Sequence, residues 1–200
     1  CVCLPDRPVS DQWMQDIATE MNLSETAFLV PKEDEYQLRW FTPLLEVELC
    51  GHATLAAAHV LWESKSLPET RPIRFSTRSG LLSAEKKGRW IALDFPAEPA
   101  IELAAPPQLI RALGVPPLYV GKNRFDYLAI LESEQQVRSI SPDLTALKML
   151  PVRGVIVSAE ANKAGIDFVS RFFAPGSGID EDPVTGSAHC CLGPFWQDQL

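Results

Sequence analysis

The sequence predicts an α+β fold built from two similar halves, and three observations carry that prediction. Two short segments echo each other, Cys50-Gly51-His52-Ala53-Thr54 and Thr185-Gly186-Ser187-Ala188-His189. Each places a glycine, small residues and a histidine at a helix start. Each also follows an apolar or aromatic strand-like run, over 37–41 and 168–173. The rest of each half is strand-rich around one helix of Ala, Gly and Cys type. Glycine and small side chains at a helix N-terminus leave backbone N–H groups free, which makes an anion seat. Two such seats imply a duplicated fold with a small anionic metabolite held between the halves.

The first half begins with Ser10-Asp11 as the N-cap of an amphipathic helix over 12–21, with Trp13, Met14, Ile17 and Met21 on one face. A strand follows over 26–30 and stops at Pro31. Residues 32–35 form a polar turn, and 36–41 alternate as a second strand ending before Pro43. Residues 51–62 read as a buried helix, because few positions on any face are charged. Three strands follow, over 73–76, 80–85 and 90–95, with Lys86-Lys87-Gly88-Arg89 turning between the last two. Residues 96–107 hold four prolines and little periodicity, the composition of a linker.

The second half repeats that order. A short helix over 108–113 closes at Gly114, and strands follow over 118–120 and 127–131. Pro142 sits in the first turn of a helix over 142–150, with Asp143 near its positive end. Strands over 152–158 and 168–173 lead to a helix over 186–196. The expected domains are 1–100 and 106–200. Both ends look cut: Cys1-Val2-Cys3-Leu4 resembles the tail of a strand under way, and Leu200 falls near a helix that needs more sheet.

Composition narrows the function. The 200 residues carry a formal net charge of −8. That balance argues against a nucleic-acid role, which needs a basic patch, and against an anionic membrane surface. No apolar run approaches a bilayer span, and the N-terminus has no signal-peptide pattern. The odd set of five cysteines, including the adjacent Cys190 and Cys191, fits a reducing cytoplasm. No metal is expected, since His189, Cys190 and Cys191 are consecutive and cannot all face one ion from a helix. No dinucleotide, Walker or nucleophile-elbow signature occurs, so no cofactor is expected.

Four residues can carry chemistry. Glu25 lies between a helix and a strand, where a carboxylate can face a cleft as a general base, although a solvated glutamate is the simpler account of the local sequence. Asp182 precedes Pro183 and lies four residues before Gly186. It can form an Asx-type turn into the helix or present its carboxylate beside the anion seat. His52 follows Gly51 at a helix start, where the dipole should lower its pKa and keep it neutral. Cys50 precedes that helix, where a thiolate is stabilised. His59 and His189 read as packing residues.

These residues fall in runs that resemble the PhzF-like family of phenazine-biosynthesis isomerases. The runs are Asn22-Leu23-Ser24-Glu25-Thr26-Ala27-Phe28, Leu38-Arg39-Trp40-Phe41-Thr42-Pro43, Cys50-Gly51-His52-Ala53-Thr54-Leu55 and Leu93-Asp94-Phe95-Pro96. Ser170-Arg171-Phe172-Phe173-Ala174-Pro175 and the stretch from Gly178 through Asp182-Pro183-Val184-Thr185-Gly186-Ser187-Ala188-His189 complete the set. The resemblance implies a diaminopimelate-epimerase-like fold, with two similar domains, each a β-barrel-like sheet wrapped on a central helix, and the site between them. It implies a homodimer. It also implies further strands before Cys1 and after Leu200, so that the chain is truncated at both ends.

The resemblance places the catalytic glutamate at Glu25, with His52 and Asp182 accompanying it. Gly51, Gly186 and Ser187 become the substrate-binding positions. The related epimerases use two cysteines, and the resemblance matches those positions to Cys50 and Asp182, leaving one thiol. The implied activity is a cofactor-independent isomerase or epimerase. It would move a proton on a small carboxylate-bearing metabolite by general acid/base catalysis, with Glu25 raised in pKa by a water-excluding cleft. Two rivals remain at this point: a non-catalytic metabolite-binding or scaffold protein on the same fold, and a single-thiol epimerase using Cys50.

Overall fold

In the computed structural model, which describes residues 1–200, the chain divides into two units, Cys1–Pro96 and Ala97–Leu200. In the first, β1 (Val2–Cys3) leads to α1 (Asp11–Met21). The Ser10 side chain accepts from the N–H of Trp13, and Asn22 closes the helix in the left-handed region at φ 49°. Met14 and Ala18 of α1 pack on Phe28 and Phe41. Those two phenylalanines belong to β2 (Thr26–Lys32) and β3 (Glu35–Phe41), which pair antiparallel. Strand alternation turns the fully buried Ala27, Leu29, Leu38 and Trp40 to the opposite face.

The short β4 (Glu46–Val47) lies on β3, and α2 (Gly51–Glu63) follows. Then come β5 (Ile73–Thr77), β6 (Gly80–Lys87) and β7 (Trp90–Asp94), giving a sheet of order β1-β2-β3-β5-β6-β7. Helix α2 touches β1 and β2 near one edge and β7 at the other. One helix reaches both edges only if the sheet curls around it, the half-barrel the family resemblance implies. Contrary to the sequence reading, β2 does not stop at Pro31. Proline survives there because β1 pairs only Ala27 and Phe28, so the far end of β2 has an open side where a missing N–H breaks no ladder.

The second unit carries β8 (Ile101–Glu102), α3 (Pro107–Leu113), β9 (Tyr119–Lys122) and β10 (Asp126–Ile130). Helices α4 (Glu134–Ser139) and α5 (Leu144–Lys148) lead to β11 (Gly154–Glu160) and β12 (Phe168–Ala174). A 3-10 turn at Pro175–Ser177 precedes β13 (Ile179–Asp182) and α6 (Gly186–Gln197). The sheet order is β13-β12-β11-β10-β9-β8. Its two faces separate by residue parity. Tyr127, Ala129, Val155 and Val157 pack on α3, α4 and α5 through Leu109, Val137 and Leu147. Leu128, Ile130, Ile156 and Phe172 pack on α6 through Ala188, Cys191, Leu192 and Trp196.

Some sequence expectations fail locally. Residues 96–107 are not a free linker: beyond Pro96 they join the second unit, with β8 on β9 and the N–H of Glu98 bonded to the Cys190 carbonyl at 2.8 Å. Pro194 inside α6 cannot donate back to that carbonyl, so Glu98 replaces the lost helical bond. Helix α5 starts after Pro142, because the Asp143 side chain accepts from the N–H of Ala146 and is its N-cap. Helix α4 and strands β4, β8 and β13 had no strong sequence signal, being six residues or fewer.

The two units repeat one connectivity. Parallel β1 and β2 with α1 between them, then β3, β4 and α2, match parallel β10 and β11 with α4 and α5 between them, then β12, β13 and α6. A side-chain fork repeats as well. Arg39 binds Glu46 through Nε and Nη2, and Arg171 binds Glu181 through the same two nitrogens. Aligning those glutamates also aligns Gly51 with Gly186. Cys50 then corresponds to Thr185, and Asp182 to Val47. The equivalence of Cys50 with Asp182 expected from the resemblance does not hold in this register.

Candidate active site

Glu25 is the last residue before β2, reached by Leu23 and Ser24 after the left-handed Asn22 turns the chain out of α1. It is 8% exposed. His52 is the second residue of α2, and its Nε2 stands 2.9 Å from Glu25 Oε2. Cys50 Sγ lies 3.8 Å from Nδ1 and 3.9 Å from Nε2 of the same ring. The first turn of α2 is fixed by Thr54, whose N–H and hydroxyl both donate to the Cys50 carbonyl.

The electrostatics of this group differ from the sequence expectation at three points. The helix dipole was expected to keep His52 neutral. Instead the Cys50 sulfur and the Glu25 carboxylate push its pKa up to about 11, so it carries a proton at neutral pH. Burial pushes Glu25 up, as expected, but His52, with smaller help from Ser24 and the N-terminal ammonium, offsets it and leaves the carboxyl below the usual glutamate value. Burial also pushes the Cys50 thiol up, against the thiolate that a helix start would favour. The group is therefore a carboxylate–imidazolium pair beside a neutral thiol. Glu25, Cys50 and His52 each offer one ligand atom within 4.8 Å of the others. A metal there would have to displace the proton from His52.

In the second unit, Asp182 ends β13 and engages its own turn. Oδ1 accepts from the N–H of Val184 at 3.1 Å, and Oδ2 accepts from the Thr185 hydroxyl at 2.8 Å. This is the Asx-type turn read from the sequence, and it shapes the entry to α6. Gly186 and Ser187 form the first turn of α6, and Ser187 is 7% exposed. Thus Glu25, Gly51 and His52 lie together in the first unit, and Asp182, Gly186 and Ser187 in the second. His59 and His189 are both exposed, although the His189 ring still lies against Phe168, with centroids 6.0 Å apart. His189 Nδ1 lies 3.0 Å from the Thr185 carbonyl.

Sequence reading missed one cluster here. Asp126 is 1% exposed in β10, and Arg153 grips it through Nε and Nη2 while Nη2 also reaches Ser187 Oγ at 3.0 Å. A signal existed: an aspartate inside the apolar run from Phe125 to Leu131 demands a buried cationic partner.

Comparison with known proteins agrees with this architecture. A family model described as "Phenazine biosynthesis-like protein" matches residues 1–200. An uncharacterized isomerase of Halalkalibacterium halodurans is 54% identical over 200 residues, which is 100% of this chain and 76% of that protein. A solved PhzF-family phenazine biosynthesis protein of Enterococcus faecalis has a TM-score of 0.88 at 43% identity, covering 100% of this chain and 75% of that one. A predicted epimerase of Pseudomonas aeruginosa shares the fold alone, with a TM-score of 0.69 at 18% identity, covering 99% of this chain and 76% of that one. The fold is thus epimerase-like and the enzyme class isomerase. The chain belongs to the phenazine biosynthesis-like family.

Proposed function

We propose that the chain is a cofactor-independent isomerase that moves a proton on a small carboxylate-bearing metabolite. The observation that carries this reading is the buried Glu25 carboxylate held 2.9 Å from the His52 imidazolium. Ionised and shielded from water, Glu25 is in the form that removes a proton from carbon. His52 stabilises it in that form and can take part in returning the proton. The N–H groups at the starts of α2 and α6, at Gly51, Gly186 and Ser187, supply donors for the substrate carboxylate and for charge that develops as the proton leaves. Asp182 holds the turn that delivers Gly186 and Ser187. The neutral, buried Cys50 thiol does not favour the single-thiol rival, which needs a thiolate.

The test is solvent-deuterium incorporation, read by NMR, when small aromatic and amino-acid carboxylates are incubated with the protein in heavy water. Exchange is expected in the wild-type protein and not in Glu25→Gln. Full exchange in that variant would end the assignment of Glu25 as base. A carboxylate that raises the melting temperature without ever exchanging a proton would favour the binding-protein rival.

A further inference from the structure

The guanidinium of Arg153 is fixed on every side the structure describes. Nε donates to Asp126 Oδ1 at 3.0 Å and Nη2 to Oδ2. The rings of Phe125 and Phe172 flank it at 5.0 and 5.3 Å. Its backbone N–H donates to the Phe125 carbonyl, and Asn123 Oδ1 accepts from the N–H groups of Phe125 and Asp126. So both ends of the ion pair are anchored, Asp126 as the first residue of β10 and Arg153 as the residue before β11. The pair is neutral as a unit. Its effect is therefore one of direction, not of net charge.

That direction matters at Ser187. A serine hydroxyl has one proton and two lone pairs, and an arginine can only donate. The 3.0 Å contact therefore uses a lone pair of Oγ and turns the hydroxyl proton elsewhere. The structure gives that proton no acceptor, although Ser187 is nine-tenths buried at the first turn of α6. A buried donor left open beside free helix N–H groups calls for an acceptor from outside the chain. The repeat sharpens the contrast. Ser187 occupies the position of His52, but its neighbour is a cation where His52 has a carboxylate. The first unit pairs an imidazole with a carboxylate; the second pairs a hydroxyl with a guanidinium that can only donate.

We infer that Arg153, locked by Asp126, is a positioning residue that holds the Ser187 hydroxyl as a fixed donor to a carboxylate oxygen of the substrate. The inference deepens the function proposed above and rests on it. Arg153 acts through Ser187 and does not itself meet the ligand.

A double-mutant cycle tests this, with benzoate and L-glutamate as carboxylate probes titrated calorimetrically into the full chain. Ser187→Ala and Arg153→Gln should each weaken binding about tenfold, the loss of one hydrogen bond to a charged group. The double variant should bind no more weakly than Ser187→Ala alone, and Arg153→Lys should restore part of the affinity. Should Arg153→Gln not fold, Arg153→Lys with Ser187→Ala completes the same cycle. Additive losses would mean that Arg153 meets the anion directly. A lowered melting temperature with unchanged affinity would mean that it is only structural. Either result overturns the inference, as does a wild-type protein that binds neither probe. Persistent proton exchange in Glu25→Gln would strike the base assignment and leave the cycle untouched, so the two failures are distinguishable.

Discussion

His52 Nε2 stands 2.9 Å from Glu25 Oε2, joining the first turn of α2 to the residue before β2. Each partner shifts the other toward its charged form. The carboxyl falls below its usual value and the imidazole rises to about 11. Replacing Glu25 with Gln keeps the shape but removes the base. A positioned general base supplies about 10²–10⁴-fold in rate, so proton exchange should fall by about that factor. The exchange rate into a turned-over carboxylate, measured beside the melting temperature, checks it.

The same substitution should change His52. With the carboxylate gone, only the Cys50 sulfur still raises the ring, so its pKa should drop by on the order of one unit or more. Titration of the His52 ring protons by NMR in both proteins measures the difference. An unchanged His52 would mean that Cys50 alone sets its charge.

Stability should follow pH through the same pair. The His52 pKa is raised on folding, so its contribution is complete below the unfolded value of about 6.5 and is lost as pH rises toward 11. The Glu25 pKa is lowered, so its contribution is present above the unfolded value and lost as pH falls through the folded one. The melting-temperature gap between the wild-type protein and His52→Gln should be widest near pH 5–6, between the unfolded values of about 4.3 for Glu and about 6.5 for His. It should narrow steadily above pH 7. A gap that widens with rising pH would contradict the sign of the His52 shift.

Much of this was legible in the residues, for physical reasons. Ser10 and Gly114 mark helix ends because capping and left-handed φ values need those side chains, and both act as caps in the structure. The helix starts at Gly51 and Gly186 were visible because a glycine and small residues there follow an acidic stretch and open a run of Ala, Cys and Leu with few charges. The charge on His52 was not legible. It depends on Glu25, twenty-seven positions away in the chain, and on a sulfur whose burial no local pattern reports. Arg153 was hidden for the same reason, since Asp126 meets it only through the register of β10 on β11, and Ser187 only through the packing of α6 on that sheet.

Gly154 offers a test of that register. A Cβ at this position would lie 2.7 Å from Phe172 Cε2 and 2.8 Å from the Phe173 carbonyl oxygen. The carbonyl is held in the β11–β12 ladder and cannot yield, so Gly154→Ala should cost about 1–3 kcal/mol as overpacking. It should also displace Phe172 from the Arg153 guanidinium. Urea unfolding measures the cost. Gly165→Ala, where nothing lies near the added carbon but φ is +80°, provides a comparison of pure backbone strain.

The repeated arginine forks differ in what each arginine holds besides its glutamate. Arg171 binds Glu181 and also donates through Nη1 to the carbonyls of Val137 and Ile140, at 3.1 and 2.7 Å. It thereby ties the C-terminal end of α4 to β12 and β13. Arg39 makes the equivalent fork to Glu46, but its Nη1 reaches the exposed Asp11, and Arg78 also pairs with Glu46. Arg171→Met leaves carbonyl groups near α4 without their donor and should cost about 1–3 kcal/mol. Arg39→Met leaves Glu46 still paired with Arg78 and takes the donor from no carbonyl, so it should cost less, about 1 kcal/mol. Chemical denaturation of both variants, with hydrogen exchange on α4, measures the contrast. Equal costs would show that the forks contribute only through their glutamates.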